Sequence, residues 1–149
     1  MVSILKSRAV ADIYLGIGTN LGNRERNIKI ALNLLDLYLG THYKKISEIV
    51  ETEAVGFEGP NFLNCVVRYS SSKNPHAILA ICKRIESEMG RKDDLEYDTE
   101  GRRVYHDRII DIDILKAGNL QVFSPTLVIP HPQIEERAFV KPLLESVTN

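Results

Sequence analysis

Asp111 and Asp113 stand one residue apart in the stretch Arg108-Ile109-Ile110-Asp111-Ile112-Asp113-Ile114-Leu115. β-Branched residues dominate it and helix punctuation is missing, so it reads as a strand. Side chains alternate along a strand, which sets the two carboxylates on one face with Cα atoms roughly 6.5 Å apart. Ile110, Ile112 and Ile114 then share the opposite face, toward the core. Two carboxylates side by side on an apolar strand are costly through repulsion and desolvation. Cations held between them offset that cost. Mg²⁺ takes carboxylate oxygens together with substrate phosphates, and two metal ions about 3.5–4 Å apart can be bridged from such a face. The same alternation also describes a half-exposed antiparallel strand with solvated carboxylates.

Other residues could join that chemistry. In Asn61–Ser70, Leu63, Cys65, Val67 and Tyr69 form an apolar face, while Phe62, Asn64, Val66 and Arg68 form the other. A ring and a carboxamide on one face suit a flat heterocycle, the ring stacking and the amide bonding an edge. They equally suit an ordinary, partly exposed strand. His131 lies between Pro130 and Pro132 on a rigid bend, placed for a phosphate contact or for a structural role. Lys83 and Glu86, three apart on a helix, are neighbours and form either part of a site or a solvated pair. The polar stretch from Arg91 to Asp107 directly precedes the aspartate strand and reads as a lid loop or a surface excursion. Gly18-Thr19-Asn20-Leu21-Gly22-Asn23 lacks the spacing of a P-loop or a dinucleotide fingerprint, and reads as a structural turn.

The elements that must position these groups follow from periodicity and punctuation. Ile13–Ile17 is a short, buried central strand. A helix from Arg24 to Leu39 carries the stripe Ile28, Ala31, Leu32, Leu35, Tyr38 and Leu39, and Gly40 caps it. Tyr43–Glu53 reads as a strand and Ala54–Pro60 as a loop. Asn74-Pro75 starts a second helix with the stripe Ile78, Ile81, Cys82, Ile85 and Met89, and Gly90 ends it. After the aspartate strand come a turn at Ala117-Gly118-Asn119, a short strand Leu120–Phe123, a helical turn Gln133–Arg137 and a short helix Ala138–Ser146. The order strand, helix, strand, strand, helix, strand predicts an α+β fold. It is a ferredoxin-like βαββαβ sandwich, helices on an antiparallel sheet, with an added strand and a C-terminal helical segment.

A chain of 149 residues with 44% hydrophobic and 26% charged residues fits one globular domain with a substantial core. The net charge of -1 argues against a broad grip on nucleic acid. No apolar run approaches the about 18 residues of a membrane span. Residues 1–11 read as a loosely held arm without an apolar signal core, which points to the cytoplasm. Cys65 and Cys82 fall on apolar faces, as two buried thiols of a reducing compartment.

Taken jointly, these motifs resemble one family over Tyr14 to about Leu144. They are Gly16-Ile17-Gly18-Thr19-Asn20-Leu21-Gly22, Glu51-Thr52-Glu53, Asn61-Phe62-Leu63-Asn64, Glu86 with Gly90-Arg91, the aspartate strand, Pro130-His131-Pro132 and Glu136-Arg137-Ala138-Phe139. The family is that of the 6-hydroxymethyl-7,8-dihydropterin pyrophosphokinases, which move the β,γ-diphosphate of ATP to the pterin's hydroxymethyl oxygen and release AMP. The resemblance implies that Asp111 and Asp113 hold two Mg²⁺ ions, with ATP as co-substrate. It implies that Asn64 and the segment from Thr52 to Val55 read the pterin's polar edge while Phe62 and Phe139 sandwich its ring. Arg91, Arg108, His131 and Arg137 match the cations around the phosphates, with Arg91 and Arg108 joining the aspartates in catalysis. Lys83, Glu86 and Ile114 match positions near the nucleotide. The implied partners are the two small-molecule substrates, with no nucleic acid and no membrane, acting on a monomer.

The chain departs from the family's usual pattern between these motifs. Tyr105-His106-Asp107 stand where many members carry Trp-Gly-Pro, Asp93 stands where many carry a second basic residue, and the loop from Lys92 to Asp107 is longer. Two other readings stand beside the kinase. One is a non-catalytic ferredoxin-like binding module, since such a fold hosts many functions. The other is a different Mg²⁺-dependent nucleotidyl or phosphoryl transferase.

Overall fold

The computed structural model describes residues 9–54, 58–90, 99–101 and 108–149. Most of the arm, Val55, and the lid loop with Arg91 and Tyr105 (apart from a turn at residues 99–101) lie outside the described residues.

The central strand β1 runs over Ala11–Thr19, longer at both ends than its apolar run. Residue 11 therefore belongs to the sheet and not to the arm. Gly18 and Thr19 stay in the strand because β4 pairs with both and β5 also pairs with Gly18. β1 pairs antiparallel with β4 (Phe62–Ser71) along its whole length and with β5 (Asp111–Ala117) on its other edge. Two short strands, β2 (Lys45–Ile46) and β3 (Val50–Thr52), line the far edge of β4. The sheet order is β2 and β3, then β4, β1 and β5, antiparallel throughout. The expected mixed architecture, helices on an antiparallel sheet, is what the chain adopts.

The single strand expected over Tyr43–Glu53 is broken. Pairing shifts from Ile46↔Val67 to Val50↔Asn64, so three residues of one edge oppose two of the other. Buried Ser47 fills the bulge: its N–H donates to Val66 O at 2.8 Å and its hydroxyl accepts from Val66 N–H at 2.8 Å. A second irregularity lies in β5, where the pairing with β1 changes between Ile114 and Lys116. Leu115 is the extra residue, and it joins the opposite face from Ile112 and Ile114. Bulges of this kind re-aim side chains beside functional faces.

Helices α1 (Arg24–Leu39) and α2 (Pro75–Glu88) cover one face of the sheet. Asn23 and Asn74 cap them, accepting from Arg26 N–H and Ala77 N–H. The core between helices and sheet holds Ile13, Leu15, Ile17, Leu63, Cys65, Val67, Tyr69, Ile112 and Ile114, with Ile28, Leu35, Ile78 and Ile85 from the helices. The alternation read from β4 and β5 thus sets the buried face correctly. Among the described residues the opposite face is only half covered. Helix α4 (Val140–Ser146) packs Val140, Leu143 and Leu144 on Tyr14, Val66 and Leu115. The rest of that face carries no helix among the described residues.

The segment after β5 holds one strand more than expected. β6 (Val122–Phe123) pairs with β7 (Val128–Ile129) as a separate hairpin, and helix α3 (Gln133–Glu136) follows. The expected strand at Leu120–Phe123 was therefore half of a pair, and its partner's short run offered no alternation to read.

Both cysteines are free and buried. Burial pushes the Cys65 thiol up to about 12 and raises that of Cys82 as well. Thiolate is the reactive form, so neither cysteine of the folded protein is expected to react with a thiol reagent near pH 8. Reaction at the global unfolding rate checks this, and fast labelling under native conditions would contradict it.

Candidate active site

The uncovered half-face is built by register. Gly18 of β1 lies opposite Asn64 of β4 on one side and opposite Asp111 of β5 on the other. Gly16 lies likewise between Val66 and Asp113. Beyond β4, Thr52 faces Phe62 and Val50 faces Asn64. Residues paired across a ladder share a face, so Thr52, Phe62, Asn64, Asp111 and Asp113 stand on one surface. Neighbouring strands are about 4.8 Å apart, which places Asn64 roughly 10 Å from Asp111.

Between them the floor is bare backbone. A Cβ on Gly18 would come 2.9 Å from Asn64 Oδ1, and one on Gly16 would come 3.4 Å from a Leu115 methyl. Gly18, expected in a turn, is part of the floor of the face. A signal was available, because Tyr14, Gly16 and Gly18 alternate with Ile13, Leu15 and Ile17. Above this floor, the Asn64 amide donates to Thr52 Oγ1 at 2.7 Å. That fixes its plane and turns its Oδ1 toward Gly18. Polar edge and aromatic ring are thereby held together at one end, and the paired carboxylates at the other.

Arg108 precedes β5 rather than starting it. Its backbone is taken up by the turn after β1: Asn20 N–H donates to Arg108 O at 2.9 Å, and Arg108 N–H donates to Asn20 Oδ1 at 2.7 Å. His131 is brought to the same region by the bulge, since its N–H donates to Leu115 O at 2.9 Å. The Ile129–Pro130 bond before it is cis. Its Nδ1 accepts from Gln133 N–H at 3.0 Å, so a neutral ring carries its proton on Nε2. Burial lowers its pKa; the nearby Asp111 carboxylate opposes that and Arg137 reinforces it. His131, Asp111 and Arg137 are thus electrostatic neighbours. Burial thus works against the cationic form of His131, which was expected among the cations around the phosphates. Phe139 packs at the edge of the α4 cluster, on the same side of the sheet.

On the other side of β5, α2 and the β6–β7 hairpin enclose a cleft of about 300 Å³. Leu79, Ile112, Ile114 and Leu127 supply its apolar walls, and Lys83, Asp113 and His131 its polar rim. Ile114 and Lys83, both expected site residues, line this cleft; Leu79 and Leu127 line it too and carry no signal in the sequence, because only packing brings the hairpin to α2. Glu86 is placed differently from a solvated partner of Lys83. It is 2% exposed, and its Oε2 accepts from Ile112 N–H, between the two aspartates, at 2.8 Å. Lys83 Nζ lies 3.7 Å from its other oxygen. Arg91 and Val55 lie outside the described residues.

Fold and face together define a mixed α/β protein with helices behind an antiparallel sheet and a carboxylate-bearing polar face in front. Its sequence narrows that class. The profile of the 7,8-dihydro-6-hydroxymethylpterin-pyrophosphokinase family matches residues 14–148, and the chain belongs to this family. It is 42% identical over 140 residues to a 2-amino-4-hydroxy-6-hydroxymethyldihydropteridine pyrophosphokinase of Porphyromonas gingivalis, covering 93% of this chain and 91% of the relative. Enzymes of the same name in Aquifex aeolicus and Bacillus subtilis are 38% and 34% identical, covering 94% and 89% of this chain and 82% and 75% of theirs.

Two outcomes test the geometry. Gly18→Ala is expected to lower stability by about 1–3 kcal/mol through overpacking against the Asn64 amide. In a double-mutant cycle with Asn64→Ala most of that cost should disappear; an unchanged cost would remove Asn64 as its cause. For His131, a pKa lowered in the folded state means that the unfolded chain binds the proton first. Its contribution is complete above the unfolded value, near 6.5, and is lost as pH falls through that value toward the folded one. Denaturation between pH 7.5 and 5 should therefore show a steeper loss of stability in the wild type than in His131→Gln.

Proposed function

We propose that this chain transfers diphosphate from ATP to the hydroxymethyl group of 6-hydroxymethyl-7,8-dihydropterin, releasing AMP, as a step of folate synthesis. The observation that carries the proposal is the register that sets Asn64, Gly18 and Asp111 abreast on the bare face. A flat heterocycle standing edge-on over the glycine floor meets a carboxamide and a hydroxyl at one end and the carboxylates at the other. The relatives' names supply the substrate class. We read the wiring as ferredoxin-like and the chain as one domain, a monomer working in the cytoplasm.

In this reading Asn64 and Thr52 bond the pterin's polar edge, with Val55 beside them, and Phe62 and Phe139 stack on its two faces. The cleft beside β5 takes the nucleotide, its base against Ile114 and its phosphates toward Lys83, His131, Arg137, Arg91 and Arg108. Glu86 acts there through Lys83 and the β5 backbone.

Asp111 and Asp113 suit Mg²⁺. Two hard oxygen donors share a face above a strand with no Cβ in the way, and among the described residues no third His, Cys, Asp or Glu joins them. The remaining places would fall to phosphate oxygens and water, as Mg²⁺ prefers. When bound, two such ions would neutralise triphosphate charge and make the hydroxyl a better nucleophile. The hydroxymethyl oxygen attacks the β-phosphorus, the bond from that phosphorus to the α,β-bridging oxygen breaks, and AMP leaves with its electron pair. The alcohol proton goes to solvent or to a carboxylate. Arginine forks and the His131 N–H hold the phosphates in line, the main demand of such transfers.

The test is product analysis with ATP, Mg²⁺ and the pterin. Pterin-dependent AMP is the expected product. ADP would make the chain a phosphoryl transferase, and no turnover with pterin still bound would make it a non-catalytic binding module. Asp111→Asn and Asp113→Asn are each expected to cut kcat by at least about a hundredfold while leaving the denaturation midpoint near that of the wild type. Near-normal activity of either under limiting Mg²⁺ would overturn the metal assignment.

A further inference from the structure

Asn20 is 1% exposed and stands behind the bare face, just past the end of β1. Three of its polar groups reach two separate segments. Its backbone N–H and its Oδ1 bind Arg108 O and N–H, at 2.9 and 2.7 Å. Its Nδ2 donates to Pro60 O at 3.0 Å. Pro60 stands two residues before Phe62, at the heterocycle end, and Arg108 three residues before Asp111, at the carboxylate end. One side chain therefore joins the leads into both halves of the face.

The surroundings hold that joint in place. Asn27 of α1 donates to Thr19 Oγ1 at 3.1 Å, to Leu21 O at 2.7 Å and to Ile109 O at 3.3 Å. Arg24 Nη1 donates to Asn61 O at 2.9 Å. The turn and the start of α1 thus form a rigid block to which both leads are tied. Buried amides bonded on every side fix geometry, because leaving any of their partners unpaired is expensive.

We propose that Asn20 is a positioning residue for the transfer reaction. Its Oδ1 sets Arg108 against the carboxylate strand, and its Nδ2 sets the loop that presents Phe62. Both substrates need registration to well under an ångström for in-line transfer. The inference rests on the reading of the two ends as pterin and phosphate sides.

The two links can be cut separately. Asn20→Asp keeps an acceptor opposite Arg108 N–H but turns an oxygen toward Pro60 O. Asn20→Ala removes both side-chain links and keeps the backbone bond to Arg108 O. For Asn20→Asp we expect the pterin KM to rise about tenfold, with kcat and the ATP KM changed by less than about threefold. For Asn20→Ala, kcat should fall about tenfold as well. Assays run well below the midpoint of thermal unfolding, so lost stability alone moves neither constant. Where Asn20→Ala does not fold, Asn20→Ser takes its place with the same expected split.

Wild-type kinetics in both variants, or a fall in kcat for Asn20→Asp with the pterin KM unmoved, would overturn the proposal. Equilibrium dialysis of the pterin alone reads the Pro60 link without turnover. Failure of the wild type to release AMP would then count against the assigned reaction, and equal pterin affinity of wild type and Asn20→Asp against the positioning role.

Discussion

Everything on the working side of this protein depends on β1 having two unlike faces. Its odd residues, Ile13, Leu15 and Ile17, bury a continuous apolar row under the helices. Its even residues end in Gly16 and Gly18, which put backbone where every other strand puts a side chain. Burial of the first row locks the register, since a slip of one residue would turn isoleucines outward and glycines into the core. The strength of the core is thereby what keeps the floor bare.

The two bulges adapt the neighbouring strands to that floor. Without Leu115 as an extra residue, β5 would carry one alternation from the aspartates to its end. Asp111, Asp113 and Leu115 share the open face by plain alternation; the bulge after Ile114 turns Ala117 back into the helix-side core and Lys116 out beside Tyr14, while Leu115 joins the α4 cluster and its carbonyl anchors His131. At the other edge, Ser47 absorbs a shift that brings Thr52 abreast of Phe62 and Val50 abreast of Asn64. The amide of Asn64 then finds the Thr52 hydroxyl at 2.7 Å. Strand pairing has done the placing, and few side-chain contacts were needed for it.

Local rules explain which parts could be read beforehand. Alternation in β4 and β5 gives their buried faces from the residues alone, as the apolar stripes do for α1 and α2. Asn23, Asn74 and Gly40 are short-range signals and mark the helix ends where they lie. What stayed hidden depends on contacts across long sequence separations. β7 is two residues long and exists only as the partner of β6. The inward turn of Glu86 needs Ile112, 26 residues away, as its donor. The clamp from Asn20 to Arg108 spans 88 residues. Gly18 carries both kinds of information: its place in the alternation was local, but the amide that excludes a Cβ comes from β4.

The bond from Ile112 to Glu86 also bears on how this sheet lives beside other copies of itself. β5 closes one side of the sheet, and a last strand offers unused amides to any extended chain that drifts against it. Here the outward N–H in the middle of the strand is already held by a buried carboxylate. An incoming backbone would have to displace a buried acceptor whose other oxygen lies 3.7 Å from Lys83 Nζ. Among the described residues, an acid drawn from the helix behind it thus guards the middle of the border that carries the aspartates against templated growth.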